Sequence, residues 1–327
     1  MSIVILNYNG KDYLEECLTS VLQTDYPHYE VISIDNASTD GSEKIAERFA
    51  RRTPLLKAIR NKENLGFAAG NNLGARYAKG EYLVFLNNDT IVDSRWLSEL
   101  VKVVHAKPEI AVAQSKLLMG DRCSFDSVGG DIDRLGIESF ETARVVGVTD
   151  RGQYDYVRDI FYARGAALLV RKEVFHLVGG FDSSFFFNYE EIDLCWRIRL
   201  AGYRIVFVPT SVVYHLGGRP IRRRKDAFAL FHVRKNHIAT LLKCYSCLNL
   251  LRYLPLYISM VIAHSLYLLS RADYKQAIAS FRALFWVMKN VKGIFLKRLR
   301  IQRSRKLSDK EIMRYMKSFR IPFYLSW

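Results

Sequence analysis

Across the first 105 residues, short apolar runs alternate with helix-period segments, and this alternation restricts the fold more than any other feature. Ile3–Leu6 is followed by Leu14, Cys17, Leu18, Val21 and Leu22 at helical spacing. The run Glu30–Asp35 leads through "NASTDGS" into a helix predicted around residues 42–51. A weaker strand near 56–60 precedes "ENLGFAAGNN", which opens a helix ending near Lys79-Gly80, and Glu81–Leu86 forms a fourth strand. Strand–helix units at this spacing build an α/β fold, a mostly parallel Rossmann-like sheet with helices on both faces.

Several of these elements begin or end in acceptor-bearing side chains. Asp35-Asn36 ends strand two, Asn87-Asn88-Asp89 ends strand four, and Glu190-Glu191 with Asp193 opens a later helix. In a parallel sheet such strand ends converge along one edge, where open α/β sheets bind ligands. Turn and helix-cap chemistry is the plain alternative at each place. Carboxylates gathered beside an anionic substrate repel unless a divalent cation bridges them, and oxygen-rich ligands suit Mg2+ or Mn2+.

Residues 107–160 are less regular and read as an inserted hairpin or a loop over a site, with a turn at Gly129-Gly130. Beyond them "GAALLV" is a strand, "RKEVFHLVGGFD" a helix closed by glycines, Tyr189–Ala201 a helix and "YRIVFVP" a strand. After about residue 219 the character changes, so the chain divides into 1–218 and a helical, basic region 219–327. Arg222-Arg223-Arg224-Lys225 is a basic cluster, and residues 253–269 carry no formal charge. That stretch is shorter than the roughly 20 apolar residues of a spanning helix and holds Pro255, Ser259, His264 and Ser265. Ile278, Phe281, Phe285 and Met288 share one side of the next helix, with Lys275, Arg282 and Lys289 beside them. No acid falls between Asp273 and Asp309. This pattern suits an interfacial helix on anionic lipid; a helical hairpin packed on the main domain is the alternative.

The formal net charge of +16 implies an anionic partner. The basic residues concentrate after 219 while the strand ends are acidic and amide-rich, which disfavours a nucleic-acid groove. Five scattered cysteines make no disulfide framework and point to a reducing compartment; the lone Cys244-x-x-Cys247 reads as structural. Ser2–Leu6 lacks the basic n-region and apolar length of a signal peptide.

Seven segments in order, "VILNYNG", "VISIDNASTDGS", "ENLGFAAGNN", "YLVFLNNDT", "GAALLVRKEVFHLVGGFD", "FFFNYEEIDLCWRIRLAGYRIVFVP" and "VVYHLGG", together resemble family 2 glycosyltransferases of the GT-A fold. The similarity is greatest to rhamnosyltransferase-like enzymes of cell-surface polysaccharide assembly and spans about residues 2–218. It implies inverting, metal-dependent transfer from a UDP- or dTDP-sugar, including dTDP-rhamnose, to a glycan or lipid-linked acceptor. The composition of the basic region separately suggests a place on the cytoplasmic side of the cell membrane, where that region would meet the anionic surface. A nucleotidyltransferase on a similar sheet and a basic nucleic-acid-binding protein are the alternatives.

Carried over position by position, the resemblance gives Asp35 to the pyrimidine base, with Asn36 beside it and the loop Leu6, Asn7 and Tyr8 alongside. Asn64, Gly66, Phe67, Gly70 and Asn71 would line the nucleotide-sugar pocket, the glycines permitting close backbone approach. Asn87-Asn88-Asp89 falls on the family's DXD position, so Asp89 and Asn87 would hold the metal, Asn88 would border the substrate, and His215 would add a ligand. The first acid of that motif is replaced by Asn87, which offers a carbonyl oxygen but no charge. Glu190-Glu191 matches the paired-acid motif, Glu191 acting as general base and ionised by its place in the first turn of a helix. Gly165 and Ala166 would stand on the acceptor side, Phe185-Phe186-Phe187 as an apolar wall, and Asp193 and Arg197 as pocket or structural partners.

Overall fold

The computed structural model describes residues 1–217 and 226–318, so the basic cluster at 222–225 lies outside the described residues. Strands β1 (Ser2–Asn7), β2 (Glu30–Asp35), β3 (Leu56–Arg60) and β4 (Tyr82–Asn87) pair in parallel in the order β3-β2-β1-β4. Helices α1 (Leu14–Leu22), α2 (Ser42–Arg52) and α3 (Gly66–Tyr77) cross between them, within a few residues of the sequence expectation. Pleating sends alternate residues of β1 to opposite faces. Val4 joins one buried cluster with α3, while Ile3 and Ile5 join another with α1.

Past β4 the sheet turns mixed. After β5 (Thr90–Val92) and α4 (Trp96–Ala106) come β6 (Ile110–Met119), β7 (Phe125–Ser127), the short α5 (Phe140–Ala143), β8 (Arg158–Asp159), β9 (Ala167–Arg171), α6 (Lys172–Leu177), α7 (Glu190–Leu200) and β10 (Arg204–His215). Strand β9 runs antiparallel between β4 and β6, and β6 pairs in parallel with β10. The parallel description therefore holds for the β1–β4 half and for β6–β10, not across β9. Reversing β9 brings its first residues, not its last, to the edge where β1, β2 and β4 end.

Strand β6 falls inside the stretch that reads as irregular. Its run is interrupted by Gln114-Ser115-Lys116, which look like loop chemistry yet are buried and satisfied internally. Gln114 Nε2 donates to Ser127 Oγ at 3.1 Å, Ser115 and Ser211 share a hydroxyl bond at 2.8 Å, and Lys116 Nζ reaches Asp150 and Asp155 at 2.7 and 2.6 Å.

The C-terminal part is helical: α8 (Ala227–Cys244), α9 (Cys247–Ser270), α10 (Tyr274–Lys289), α11 (Val291–Ser304) and the short α12 (Asp309–Ile312). These helices do not enclose a core of their own. Ile238, Leu241, Cys244 and Tyr245 belong to the same buried cluster as Trp196 of α7 and Phe85 of β4. The change at residue 219 separates two sequence characters, not two cores. Cys244 is buried, Cys247 is exposed, and both are free thiols.

Candidate active site

Three groups of side chains meet where β1, β2 and β4 end. The first is built on amides. In register, Asn7 lies beside Asp35 and Leu6 beside Asn87. Asn7 Nδ2 donates to Asp35 Oδ1 at 3.1 Å and to Ser42 Oγ at 2.8 Å, while its oxygen accepts from Asn88 Nδ2 at 2.7 Å. Asp35 also accepts from the Ser38 amide at 3.1 Å, so its carboxylate is held by two donors in a nearly closed site. Tyr8 next to it is exposed. The close passage of Asn7 and Asn88 requires Gly10, because a Cβ there would come within 2.0 Å of Asn88 Nδ2 and 2.4 Å of Asn7 Oδ1. Sequence reading missed Gly10, although it closes "VILNYNG".

The residues expected to line the nucleotide-sugar pocket mostly make contacts within the protein. Asn36 braces the loop before α3, donating to Asn64 Oδ1 at 2.7 Å and accepting from Asn61 at 2.9 Å and from the Leu65 amide at 3.0 Å. At Gly66, with φ of +75°, a Cβ would meet the Phe186 carbonyl at 2.4 Å, and the Phe67 amide donates to that same oxygen at 2.8 Å. At Gly70 a Cβ would meet Leu6 Cδ1 at 2.6 Å, so this glycine seats α3 on β1. Asn71 is buried and donates to Phe67 O at 3.0 Å inside its own helix. Gly66 and Gly70 thus permit close approach of protein, because α3 is pressed from one side by β1 and from the other by the 181–189 loop.

The second group surrounds Asp89. His215, at the end of β10, places Nε2 3.2 Å from Asp89 Oδ1 and Nδ1 3.0 Å from Asp126 Oδ2. Burial alone would lower the His215 pKa, but its bonds to Asp126 and Asp89 push it up to about 10. Asp89 lies directly over the chain at Gly217, where a Cβ would come within 1.8 Å of Oδ2. Asn87 holds the strand end through its amide, 3.1 Å from Ala166 O. Asp89 and His215 are brought together. Among the described residues no group of three or more His, Cys, Asp and Glu side chains assembles for a metal. Asp126 had no signal in the sequence: it follows an irregular loop and matches no motif.

The third group is the start of α7. Asn188 and Tyr189 precede Glu190 with φ of 62° and 74°, a left-handed pair outside glycine that costs on the order of 1–3 kcal/mol per residue and clusters at functional sites. Burial raises the Glu191 carboxyl above the ordinary range, opposed by its own backbone amide, by the Arg164 guanidinium and by the Gly165 amide. Desolvation thus opposes the stabilisation that the helix N-terminus gives the Glu191 anion. A carboxylate of raised pKa is the stronger base. Glu190 is buried, its Oε2 has no hydrogen-bond partner among the described residues, and burial followed by the Glu191 charge pushes its pKa well up. It faces inward and shapes the environment of Glu191. Arg164, also missed by the sequence, pairs with Glu138, which accepts from Tyr162 Oη at 2.9 Å.

Asp193 is not a pocket residue. It is fully buried, 2.8 Å from Arg197 and 2.6 Å from Lys243 Nζ, and accepts from Thr240 Oγ1 at 2.9 Å, tying α7 to α8. Lys243 also reaches Asp182 at 2.6 Å. Asn236 of α8 donates to the Phe187 and Asn188 carbonyls at 3.0 and 2.7 Å and so holds the left-handed turn. Phe185 is buried beneath Lys243, while Phe186 packs against Phe228 and His232; the expected wall is partly core. Gly165 faces the Phe67 ring, where a Cβ would come within 3.0 Å, and Ala166 is buried at the mouth of β9.

A mixed sheet of this order flanked by helices is a GT-A architecture. The model of glycosyl transferase family 2 matches residues 2–122 and that of glycosyl transferase family group 2 matches residues 82–291, and the chain belongs to this family. It is 31% identical to the O-antigen biosynthesis protein RfbC of Myxococcus xanthus over 233 residues, covering 69% of this chain and 18% of that protein. It is 26% identical to the rhamnosyltransferase WbbL of Escherichia coli over 65% of this chain and 82% of that one. The chain thus spans less than a fifth of the first relative. Among solved structures, a mannosyltransferase from Pyrobaculum calidifontis in complex with GDP-Man and Mn2+ superposes with a TM-score of 0.57 at 18% identity, covering 93% of this chain and 85% of that one. GalNAc-T7 with UDP, GalNAc and Mn2+ does so with a TM-score of 0.58 at 20% identity, over 74% of this chain and 47% of that one.

Proposed function

We propose that the chain transfers a sugar from a nucleoside-diphosphate donor to an acceptor hydroxyl with inversion at the anomeric carbon. The observation that carries this reading is the convergence of Asp35, Asp89 with His215, and Glu191 on one sheet edge. Asp35, fixed by Asn7, would hold the base of the nucleotide. Glu191 would take the proton of the acceptor hydroxyl as that oxygen attacks the face opposite the diphosphate, and a single displacement inverts the centre. Asp89, Asn87 and His215 would hold Mg2+ or Mn2+, His215 through a neutral imidazole. When bound, the metal supplies positive charge to the leaving diphosphate.

The similarity to a rhamnosyltransferase supports dTDP-rhamnose among UDP- and dTDP-sugars as donor, and the O-antigen relative supports a glycan or lipid-linked acceptor in cell-surface polysaccharide synthesis. The test is a panel of nucleotide sugars with Mn2+ or Mg2+, read as released nucleoside diphosphate. Glu191→Gln should lower transfer by about 10²–10⁴-fold while donor binding survives. Near-normal turnover in that variant would remove Glu191 as the base, and pyrophosphate as product would make the chain a nucleotidyltransferase.

A further inference from the structure

Helix α10 is apolar on two sides. Ala277, Ser280, Ala283 and Val287 are buried within the protein. On the outer side, Tyr274, Ile278, Phe281, Phe285 and Met288 follow each other at spacings of three and four and are 40–65% exposed. Neighbouring helices extend this face. On α9, Leu266 and Tyr267 are each 56% exposed, and on α11 Phe295 and Leu296 are 55% and 53% exposed. Exposed apolar side chains in this number on three adjoining helices mark a site where something else replaces water.

The charge around the face says what covers it. Lys275, Arg282 and Lys289 recur at seven-residue intervals along its flank and are exposed. Lys292, Arg300 and Arg303 are exposed on α11, and no Asp or Glu occurs between Asp273 and Asp309. A second copy of the chain would set this basic rim against its like, whereas an anionic bilayer offers apolar depth beneath a negative surface.

Helix α9 has 24 residues and is long and apolar enough to cross a membrane. Its buried stripe, Tyr253, Tyr257, Val261, Ser265 and Leu268, instead holds it in the protein. From α8, buried Arg234 bonds Ser265 Oγ at 3.2 Å and His264 Nδ1 at 2.6 Å, and the His237 ring lies 3.9 Å from that of Tyr257. Drawing α9 across a bilayer would strip a buried guanidinium of both partners.

We infer that α9, α10 and α11 form a platform that lies flat on an anionic lipid surface, with α9 in its plane and not across it. This rests on the exposed face and its charge, independently of the proposed transfer reaction. The full chain should float with vesicles of phosphatidylcholine plus phosphatidylglycerol, bind phosphatidylcholine alone far less, and be released by high salt. Reversing Lys275, Arg282 and Lys289 to Glu together should weaken partitioning by at least about a hundredfold, from ~1 kcal/mol per basic residue near an anionic surface. Phe285→Ser with Met288→Ser should also reduce flotation, with unchanged melting and circular dichroism showing both variants folded. Membrane-bound chain should be extracted by alkaline carbonate. Failure of the wild type to float with anionic vesicles, retention after carbonate as a spanning helix requires, or a stable dimer that the Phe285→Ser, Met288→Ser change dissolves, would each overturn the proposal. Donor turnover measured without lipid reports on the catalytic reading separately.

Discussion

Asn236 offers the sharpest test of how the base is held. Its Nδ2 donates to two carbonyls of the turn before α7, and its Oδ1 accepts from Lys235 Nζ at 2.7 Å. Removing the amide deletes two bonds worth about 1 kcal/mol each net and frees a turn that stores on the order of 1–3 kcal/mol at each left-handed residue. Asn236→Ala should therefore cost about 2 kcal/mol of stability, a melting shift of roughly 4–8 °C. Glu191 follows that turn by two residues, and a misplacement of about 1 Å in a catalytic group costs on the order of a hundredfold in rate. The expected signature is a hundredfold loss of kcat with little change in donor KM, because Asn7 and Asp35 sit on other strands. Asn236→Asp keeps the shape but has no N–H to donate, so it should behave as the alanine variant does. Thermal melting and initial-rate kinetics on both variants decide the matter. Wild-type kcat in Asn236→Asp, or a loss of activity explained wholly by unfolded protein, would refute the reasoning.

Three further outcomes follow from the site. Gly10→Ala should break the Asn7–Asn88 amide pair, raising donor KM about tenfold and costing about 1–3 kcal/mol in denaturant titrations. If His215 holds the metal as proposed, Asp126→Asn should lower Mn2+ affinity about 10–100-fold, read as free Mn2+ by electron paramagnetic resonance, since Asp126 would orient that imidazole. Arg164→Gln removes a cation that favours ionised Glu191, so the Glu191 pKa rises further. The base works deprotonated, so the acid limb of the kcat–pH profile should move to higher pH, and a shift the other way would contradict the placement.

The parallel half of the sheet was legible because β1 and β4 keep unbroken apolar runs, and β2 one broken only at Ser33, up to their polar ends. Strand β6 was not, because Gln114, Ser115 and Lys116 find partners inside the protein that no local pattern announces. The same asymmetry runs through the site. Asp35, Asp89 and Glu191 stood out as acids at element ends, and the structure brings them to one edge. The glycines carry no such mark, because a position that must admit a close neighbour reads identically whether that neighbour is Phe186, Leu6 or a ligand. Asp126, Arg164 and Asn236 had no local signature at all, since their partners lie 89, 26 and 48 residues away.

The 48 residues between Asn188 and Asn236 also set a clock. Ribosomes add about 5–20 residues per second, so the donor-side strands and Glu191 exist for roughly 2–10 s before the residue that fixes the base is made. During that interval a nascent chain can hold its amide-lined edge yet lacks the brace for its proton acceptor. Completion of the active site therefore coincides with the start of the helices that carry the exposed apolar face. On the readings proposed above, the brace of the base and the surface that meets the membrane are made one after the other.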